Sequence, residues 1–169
     1  KHRNNIYYTI GHSTRPINEF IELLINQNIK LVADVRSIPG SNKNPQYNKE
    51  LLAETLKLHK IIYKHIPKLG GLRKSNKTLT NTFWLNKSFR NYADYASNSN
   101  DFKEGLKDLI NFGNKYKCVI MCAEVLWWKC HRRIITDYLL SKNKKAYHIF
   151  DLKNIQKASM TSGALITKS

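Results

Sequence analysis

Two thiols, an imidazole, a carboxylate and two guanidinium groups fall within one short stretch, Cys122-Ala123-Glu124-Val125-Leu126-Trp127-Trp128-Lys129-Cys130-His131-Arg132-Arg133. The apolar run before it reads as a strand, and Ile134, Ile135, Tyr138 and Leu139 follow at helical spacing, so the stretch leads from a strand end into a helix. Alternation puts Cys122 and Glu124 on one strand face. Cys130 would sit near a helix N-terminus beside His131, Arg132 and Arg133, a setting that lowers a thiol pKa and favours the reactive thiolate. Glu124 can serve as acid, base or nucleophile, His131 can shuttle a proton near neutral pH, and Arg132 or Arg133 can bind phosphate bidentately. A tetrahedral metal site from His12, Cys122, Cys130 and His131 competes with this reading, but C-x₇-C-H lacks the close pairing of common zinc sites, and no metal ligands are assigned. A Cys122–Cys130 redox pair is a further alternative. Structurally, Cys122 would be a small buried hydrophobe, and Trp127, Ile134 and Ile135 would be core.

Three other loops carry polar groups suited to a ligand. Gly11-His12-Ser13-Thr14 lies between a strand end and a helix start, where free N–H groups and the helix dipole favour a phosphate or carboxylate. Equally, Ser13 or Thr14 could cap the helix while His12 satisfies a local carbonyl. No Walker lysine or GxGxxG is present, which disfavours ordinary nucleoside triphosphate and dinucleotide sites. In Asp34-Val35-Arg36-Ser37, Asp34 and Arg36 share a strand face, as acid and base or as an ion pair fixing the loop. Gly70, Gly71, Arg73, Lys74, Trp84, Phe89, Arg90, Tyr92 and Tyr95 mix glycines, cations and rings in a pattern that suits base stacking and phosphate contact, or a satellite core under the loop.

The elements that must position these loops alternate. Ile6–Ile10 is a strand, and Ile17, Phe20, Ile21 and Leu24 give a helix after Pro16. Leu31–Val35 is a second strand, Arg36–Tyr47 a loop, and Asn48 a candidate N-cap before Leu51, Leu52, Thr55 and Leu56. Ile61–Ile66 is a third strand, and it opens a long polar loop from Lys68 to about Asn100. A helix from Asp101 with Gly113 near its end, the apolar strand Cys118–Ala123, a helix from about Lys129 to Leu140 and a fifth strand Ala146–Phe150 complete the pattern. The expected architecture is one α/β domain over residues 1–151, a three-layer sandwich on a short, mostly parallel sheet of about five strands. Residues 152–169 form a tail that could add a short strand or hairpin. In such sheets ligands bind outside the carboxyl ends of the strands.

At 169 residues the chain can bury a core without disulfides or a structural metal. Its apolar runs are too short to span a membrane and no leader pattern starts at Lys1, so a cytoplasmic protein with no membrane partner is expected. Three cysteines make an odd set, unlike a secreted disulfide framework. Lys and Arg number 29 against 12 Asp and Glu, a formal charge of +17, which points to nucleic acid or a phosphorylated nucleotide as partner. Abundant Lys and Asn from a biased genome would account for much of the same excess. Cofactor and oligomeric state are left open.

The blocks Tyr8-Thr9-Ile10-Gly11-His12-Ser13-Thr14, Asp34-Val35-Arg36-Ser37, Asn44-Pro45-Gln46-Tyr47-Asn48, Leu69-Gly70-Gly71, Tyr92-Ala93-Asp94-Tyr95, Met121-Cys122-Ala123-Glu124 and Cys130-His131-Arg132-Arg133 together resemble the family catalogued as Domain of Unknown Function 488 (DUF488). The resemblance extends over nearly the whole chain. It implies a compact α/β domain with His12, Asp34, Arg36, Glu124, Cys130, His131 and Arg132 gathered in one pocket, and it brings no settled activity.

The leading expectation is an enzyme on nucleic acid or a nucleotide, hydrolysing a phosphoester or N-glycosidic bond with Glu124 or Asp34 as acid/base. His12 and His131 would assist proton transfer, with Cys130 as a further catalytic candidate. Arg36, Arg73, Arg132 and Arg133 would hold phosphates, Ser13, Gly70 and Gly71 would admit the ligand closely, and Tyr92, Tyr95 or Trp127 would stack a base. The alternatives are a nucleic-acid-binding module without chemistry, and a thiol- or metal-dependent enzyme acting on a small molecule.

Overall fold

Short β-branched and aromatic runs form six strands in a computed structural model that describes residues 5–40, 42–71 and 87–160. The strands are β1 (Ile6–Gly11), β2 (Leu31–Asp34), β3 (Ile62–His65), β4 (Cys118–Cys122), β5 (Lys145–Ile149) and β6 (Ile155–Lys157). They lie in one open sheet in the order β3-β2-β4-β1-β5-β6. All neighbours are parallel except β5 and β6, which pair antiparallel. The sheet therefore has six strands where the sequence pattern indicates about five. β6 escapes that pattern because its three residues include only one apolar side chain, Ile155, and its pairing with β5 is a tertiary event.

Five helices connect the strands: α1 (Ile17–Asn26), α2 (Lys49–Leu58), α3 (Lys87–Asn98), α4 (Asn100–Lys115) and α5 (Arg132–Ser141). Because successive strand side chains alternate, the sheet has two apolar faces. Phe20, Ile21 and Leu24 of α1 and Leu52 and Leu56 of α2 pack with Ile10, Val32, Val119 and Met121 on one face. Tyr92 and Ala96 of α3, Phe102 and Leu109 of α4, and Ile135 and Leu139 of α5 pack with Tyr7, Ala33 and Ile120 on the other. β2 and β4 are buried throughout, as central parallel strands covered by helices on both sides must be. Among the described residues no helix is long and apolar enough to cross a membrane.

α3 corrects the expectation of an uninterrupted loop from Lys68 to about Asn100. Its inward face is built from Tyr92, Ala93 and Ala96, with Tyr95 partly buried, and not from the large aliphatics whose spacing usually betrays a helix. The preceding candidates Arg73, Lys74 and Trp84 lie outside the described residues. α4 begins one residue before the expected Asp101, with the Ser99 hydroxyl accepting the Asp101 N–H at 3.1 Å as its N-cap. α5 starts at Arg132, three residues past the expected boundary, because Trp127–Lys129 turns as a separate 3₁₀ segment and Cys130 is extended.

The order of crossovers creates the site. From β1 the chain moves through α1 toward β2 on one face, whereas from adjacent β4 it moves through α5 toward β5 on the other. Connections leaving neighbouring strands in opposite directions open a crevice at their carboxyl ends.

Close packing beneath that crevice is sensitive at Gly113, where an added Cβ would collide with the ring and hydroxyl of fully buried Tyr7. Gly113→Ala should destabilise the protein by about 1–3 kcal/mol, the usual cost of overpacking. The loss should appear in the urea midpoint and shrink in a Tyr7→Leu background, where the ring is gone.

Candidate functional site

A cavity of about 650 Å³ occupies the crevice, walled by the loops after β1, β2 and β4, with Gly71 and Tyr92 from the segments beyond β3. Of the residues singled out in the sequence, His12, Ser13, Arg36, Gly71, Tyr92, Cys122, Glu124, Cys130 and His131 line it. Asp34, Gly70, Tyr95, Trp127, Arg132 and Arg133 stand off the wall.

The loops meet by close backbone approach. His12 and Ser13 donate their N–H groups to the carbonyls of Cys122 and Ala123, both at 2.9 Å, extending the β1–β4 pairing past the strand ends. A Cβ on Gly11 would run into the Glu124 carbonyl, with Val125 Cα only 2.5 Å away. Only glycine lets the β4 loop cross there. Ser13 adopts a left-handed φ of 47°, an unfavourable conformation for a side chain with a Cβ, and is locked by the Ala123 bond and by His12 Nδ1, which donates to the Ser13 carbonyl at 2.9 Å.

Arg36 forms one polar wall. Asp34, fully buried, accepts from the Arg36 backbone N–H at 3.0 Å, from Nε at 2.9 Å and from Nη2 at 2.7 Å, and also from the Tyr63 hydroxyl. With its oxygens engaged in this way, Asp34 is the anchor of Arg36 beneath the cavity. The remaining face of Arg36 reaches His12, with Nη1 at 3.3 Å from Nε2. Since His12 Nδ1 faces a carbonyl it carries the proton, so Nε2 is the acceptor for the guanidinium. Burial, opposed by the Ser13 carbonyl and reinforced by Arg36, depresses the His12 pKa to about 4. His12 is thus neutral at pH 7, with Nε2 turned to Arg36. His65 Nε2 donates to the Arg36 carbonyl at 2.7 Å and ties the same turn to β3.

The thiols form the opposite wall. Cys130 is 6% exposed and accepts the Arg132 backbone N–H at 3.4 Å, while His131 Nδ1 lies 3.5 Å from its sulfur. His131 Nε2 is 2.7 Å from the Val35 carbonyl, which can only accept, so Nε2 holds the proton and Nδ1 faces Cys130 as a base. Gly71 lies against this pair, and a Cβ there would stand 2.7 Å from Nδ1. Burial opposes ionisation of Cys130, but a hydrogen bond from the Cys122 thiol and the charges of His131 and Arg132 outweigh it and hold the pKa well below the ordinary thiol range. Cys122, pushed up by burial and then by Cys130, keeps its proton. Cys118, fully buried in β4, is pushed up to about 12 by burial. The position of Cys130 just ahead of α5 adds the favourable end of the helix dipole.

Arg132, a candidate phosphate ligand in the sequence, lies behind the cavity wall. It is 1% exposed, and its guanidinium donates inward, to Thr9 Oγ1 at 3.1 Å and to the carbonyls of Glu124 at 2.6 Å and Val125 at 3.3 Å. Thr9 passes the chain on to His148 Nδ1 at 2.6 Å, and Trp127 stacks on the His148 ring at 4.5 Å. Trp127 is therefore fixed against the edge of the sheet with Nε1 donating to Gln156, away from the cavity. Tyr92 is 1% exposed, donates to the Leu69 carbonyl and presents its ring to His131 edge-on, so it supports the imidazole and has no free face for a base. Tyr95 likewise donates to the Lys68 carbonyl. Gly70 packs on Ser37, whose Cα would lie 2.8 Å from an added Cβ.

Sequence reasoning did not single out Thr14, Ser37, Asn44 or Lys129 for the cavity wall, although each belongs to a loop it selected. Tyr63 and His65, which brace Asp34 and Arg36, were passed over as strand residues; their period-two spacing at the end of β3 was the available signal. Glu124 is half-buried on the wall, and its Oε2 accepts the Leu126 N–H at 3.1 Å. Among the described residues no group of three or more His, Cys, Asp or Glu side chains is arranged to hold a metal ion. His12 and His131 each turn one ring nitrogen to a backbone carbonyl.

Fold and site together define an open α/β protein with a thiol-bearing cavity where its two central crossovers diverge. The chain belongs to the family described as Domain of unknown function DUF488, whose model matches residues 16–139. That stretch contains Asp34, Arg36, Cys122, Glu124, Cys130, His131 and Arg132, while His12 and Ser13 precede it. No similar protein was found among curated sequences, nor any similar fold among solved structures.

The two buried imidazoles make stability pH-dependent. An unfolded histidine protonates near 6.5, whereas burial depresses His12 to about 4 and, with Arg132, His148 to about 3. Their contribution is whole above pH 6.5 and is lost as pH falls toward the folded values, by at most about 1.4 kcal/mol per pH unit for each ring. Urea unfolding at about pH 7 and about pH 5 should show this decline. His12→Gln and His148→Gln should each flatten it, whatever their effect at neutral pH.

Proposed function

We propose that this protein is a thiol-dependent enzyme acting on a small anionic molecule, with Cys130 as its nucleophile. The observation that carries the reading is the set of contacts on the Cys130 sulfur at the cavity wall: the Arg132 N–H at 3.4 Å, His131 Nδ1 at 3.5 Å and the neighbouring Cys122 thiol. A nucleophilic thiol needs a base to take its proton and positive potential to hold the thiolate, and His131 and the buried Arg132 supply these. Arg36, pinned by Asp34 and His12, and Lys129 offer positive charge to an anionic group on the substrate. Glu124, on the same wall, is within the cavity to exchange a proton with a leaving group. Gly71 keeps the space beside His131 clear.

A second reading keeps the phosphoester or N-glycosidic hydrolysis of nucleic acid or a nucleotide, supported by the +17 charge and by the Glu124 carboxylate on the wall. It requires salt-sensitive binding of labelled DNA or RNA, altered products on a denaturing gel and loss of turnover in Glu124→Gln. Binding without altered products would favour a module that does no chemistry.

The thiol reading predicts that iodoacetamide modifies Cys130 first among the three cysteines and does so below the ordinary thiol pKa of about 8.5. Mass spectrometry of peptides sampled across a pH series measures this directly. His131→Ala and Gly71→Val should both slow the Cys130 reaction at neutral pH by roughly tenfold or more, since each removes or displaces the facing base. A Cys130 that reacts no faster than Cys118 would rule the thiol reading out.

A further inference from the structure

In nucleophilic attack by Cys130, Cys122 serves only to steady the thiolate by a hydrogen bond, yet it lines the same cavity with a sulfur of its own. We propose that Cys122 and Cys130 are a reversible dithiol–disulfide couple, with Cys130 the attacking thiol and Cys122 the resolving one, and that the site accepts a hydroperoxide as oxidising substrate. The proposal rests on the reading of Cys130 as the reactive thiol and gives that thiol a reaction class.

Position separates the two roles. Cys130 lies in the turn ahead of α5, where the Arg132 N–H already meets its sulfur. Cys122 ends β4 and stands 3.6 Å from the Glu124 carbonyl, which also receives Arg132 Nη2 at 2.6 Å. One carbonyl therefore lies against Cys122 and holds the guanidinium that stabilises the Cys130 thiolate. The third cysteine, Cys118, is at the far end of β4, fully buried and absent from the cavity wall, which makes it an internal control.

The chemistry balances on these groups and the named oxidant. Cys130 sulfur attacks the distal oxygen of ROOH; the O–O bond breaks, RO⁻ leaves and takes up the thiol proton held by His131, and Cys130 becomes a sulfenic acid. Cys122 sulfur then attacks Cys130 sulfur, the S–O bond breaks, and hydroxide leaves with the Cys122 proton as water. Two thiols and ROOH have become one disulfide, ROH and water, and an external dithiol restores the pair at the expense of its own oxidation. Because Arg132 is buried with no carboxylate among the described ion pairs, the reduced, anionic form of Cys130 is the one it favours. The disulfide is accordingly a reactive one that thiols readily reduce.

The test uses the full chain, reduced and freed of reductant, titrated with hydrogen peroxide and followed by intact mass and non-reducing tryptic mapping. Cleavage after Lys117, Lys129 and Arg132 leaves Cys118 and Cys122 on one peptide and Cys130 on another. The wild type should lose two hydrogens, link these peptides, and recover fully with dithiothreitol. Cys118→Ala should behave identically, which assigns the link to Cys122. In Cys122→Ser and Cys122→Ala the link should vanish, and Cys130 should label with dimedone and advance to the sulfinic acid. Wild-type Cys130 that reaches sulfinic acid as fast as in Cys122→Ala would overturn the couple while leaving the thiol nucleophile intact. Failure of iodoacetamide to label Cys130 in the reduced protein would remove both.

Discussion

A buried guanidinium with no carboxylate partner among the described residues holds the site together. Removing an ion from water costs several kcal/mol unless its hydrogen-bonding groups find partners, and Arg132 offsets part of that cost through Nη1 and Nη2, with Thr9 of β1 and the Glu124 and Val125 carbonyls beyond β4, while its buried Nε has no partner. Each partner belongs to a segment that must be in place for the cavity to exist. Gly11 permits the β4 loop to lie close enough for those carbonyls to reach the guanidinium. The cation adds to the hydrogen bond of Cys122 and to His131 in favouring the Cys130 thiolate, and adds to burial in keeping His148 neutral. Fold and chemistry therefore share one electrostatic centre.

The cavity's other cation is handled in the opposite way. Arg36 is neutralised at close range by Asp34, whose oxygens are also held by Tyr63, and the outer edge of the guanidinium is kept in place by a neutral His12. Arg36 is thus rigid and partly discharged, able to orient an anion by geometry more than by net field. Arg132 acts through field alone, from behind the wall. This division explains how similar residues at two strand ends come to do different work.

The formal charge of +17 describes the whole chain and does not by itself specify what enters the cavity. Within the crevice the charged groups nearly compensate: Arg36 against Asp34, and Lys129 facing a wall that also carries Glu124. Surface lysines set the long-range field and its salt dependence, whereas the groups at the crevice set the local one. The two properties are separable.

Alternation of apolar strands and helices in the sequence was sufficient to specify a mostly parallel α/β sheet, because period two and period 3.6 are local consequences of backbone geometry. The same logic selected the loops after β1, β2 and β4, and placed Cys130 ahead of a helix among positive charges. Local pattern left β6 as no more than a short strand the tail could add, because its pairing is long-range, and it did not register α3, whose buried face is made of tyrosine and alanine. Nor could it tell which polar residues look into the cavity. Asp34, Arg132 and Trp127 have the chemistry of site residues, yet tertiary packing turned them inward to Arg36, Thr9 and His148. The physical reason is that a buried polar group must be satisfied by partners distant in sequence, and only the folded chain decides which groups are consumed in that way and which remain for a substrate.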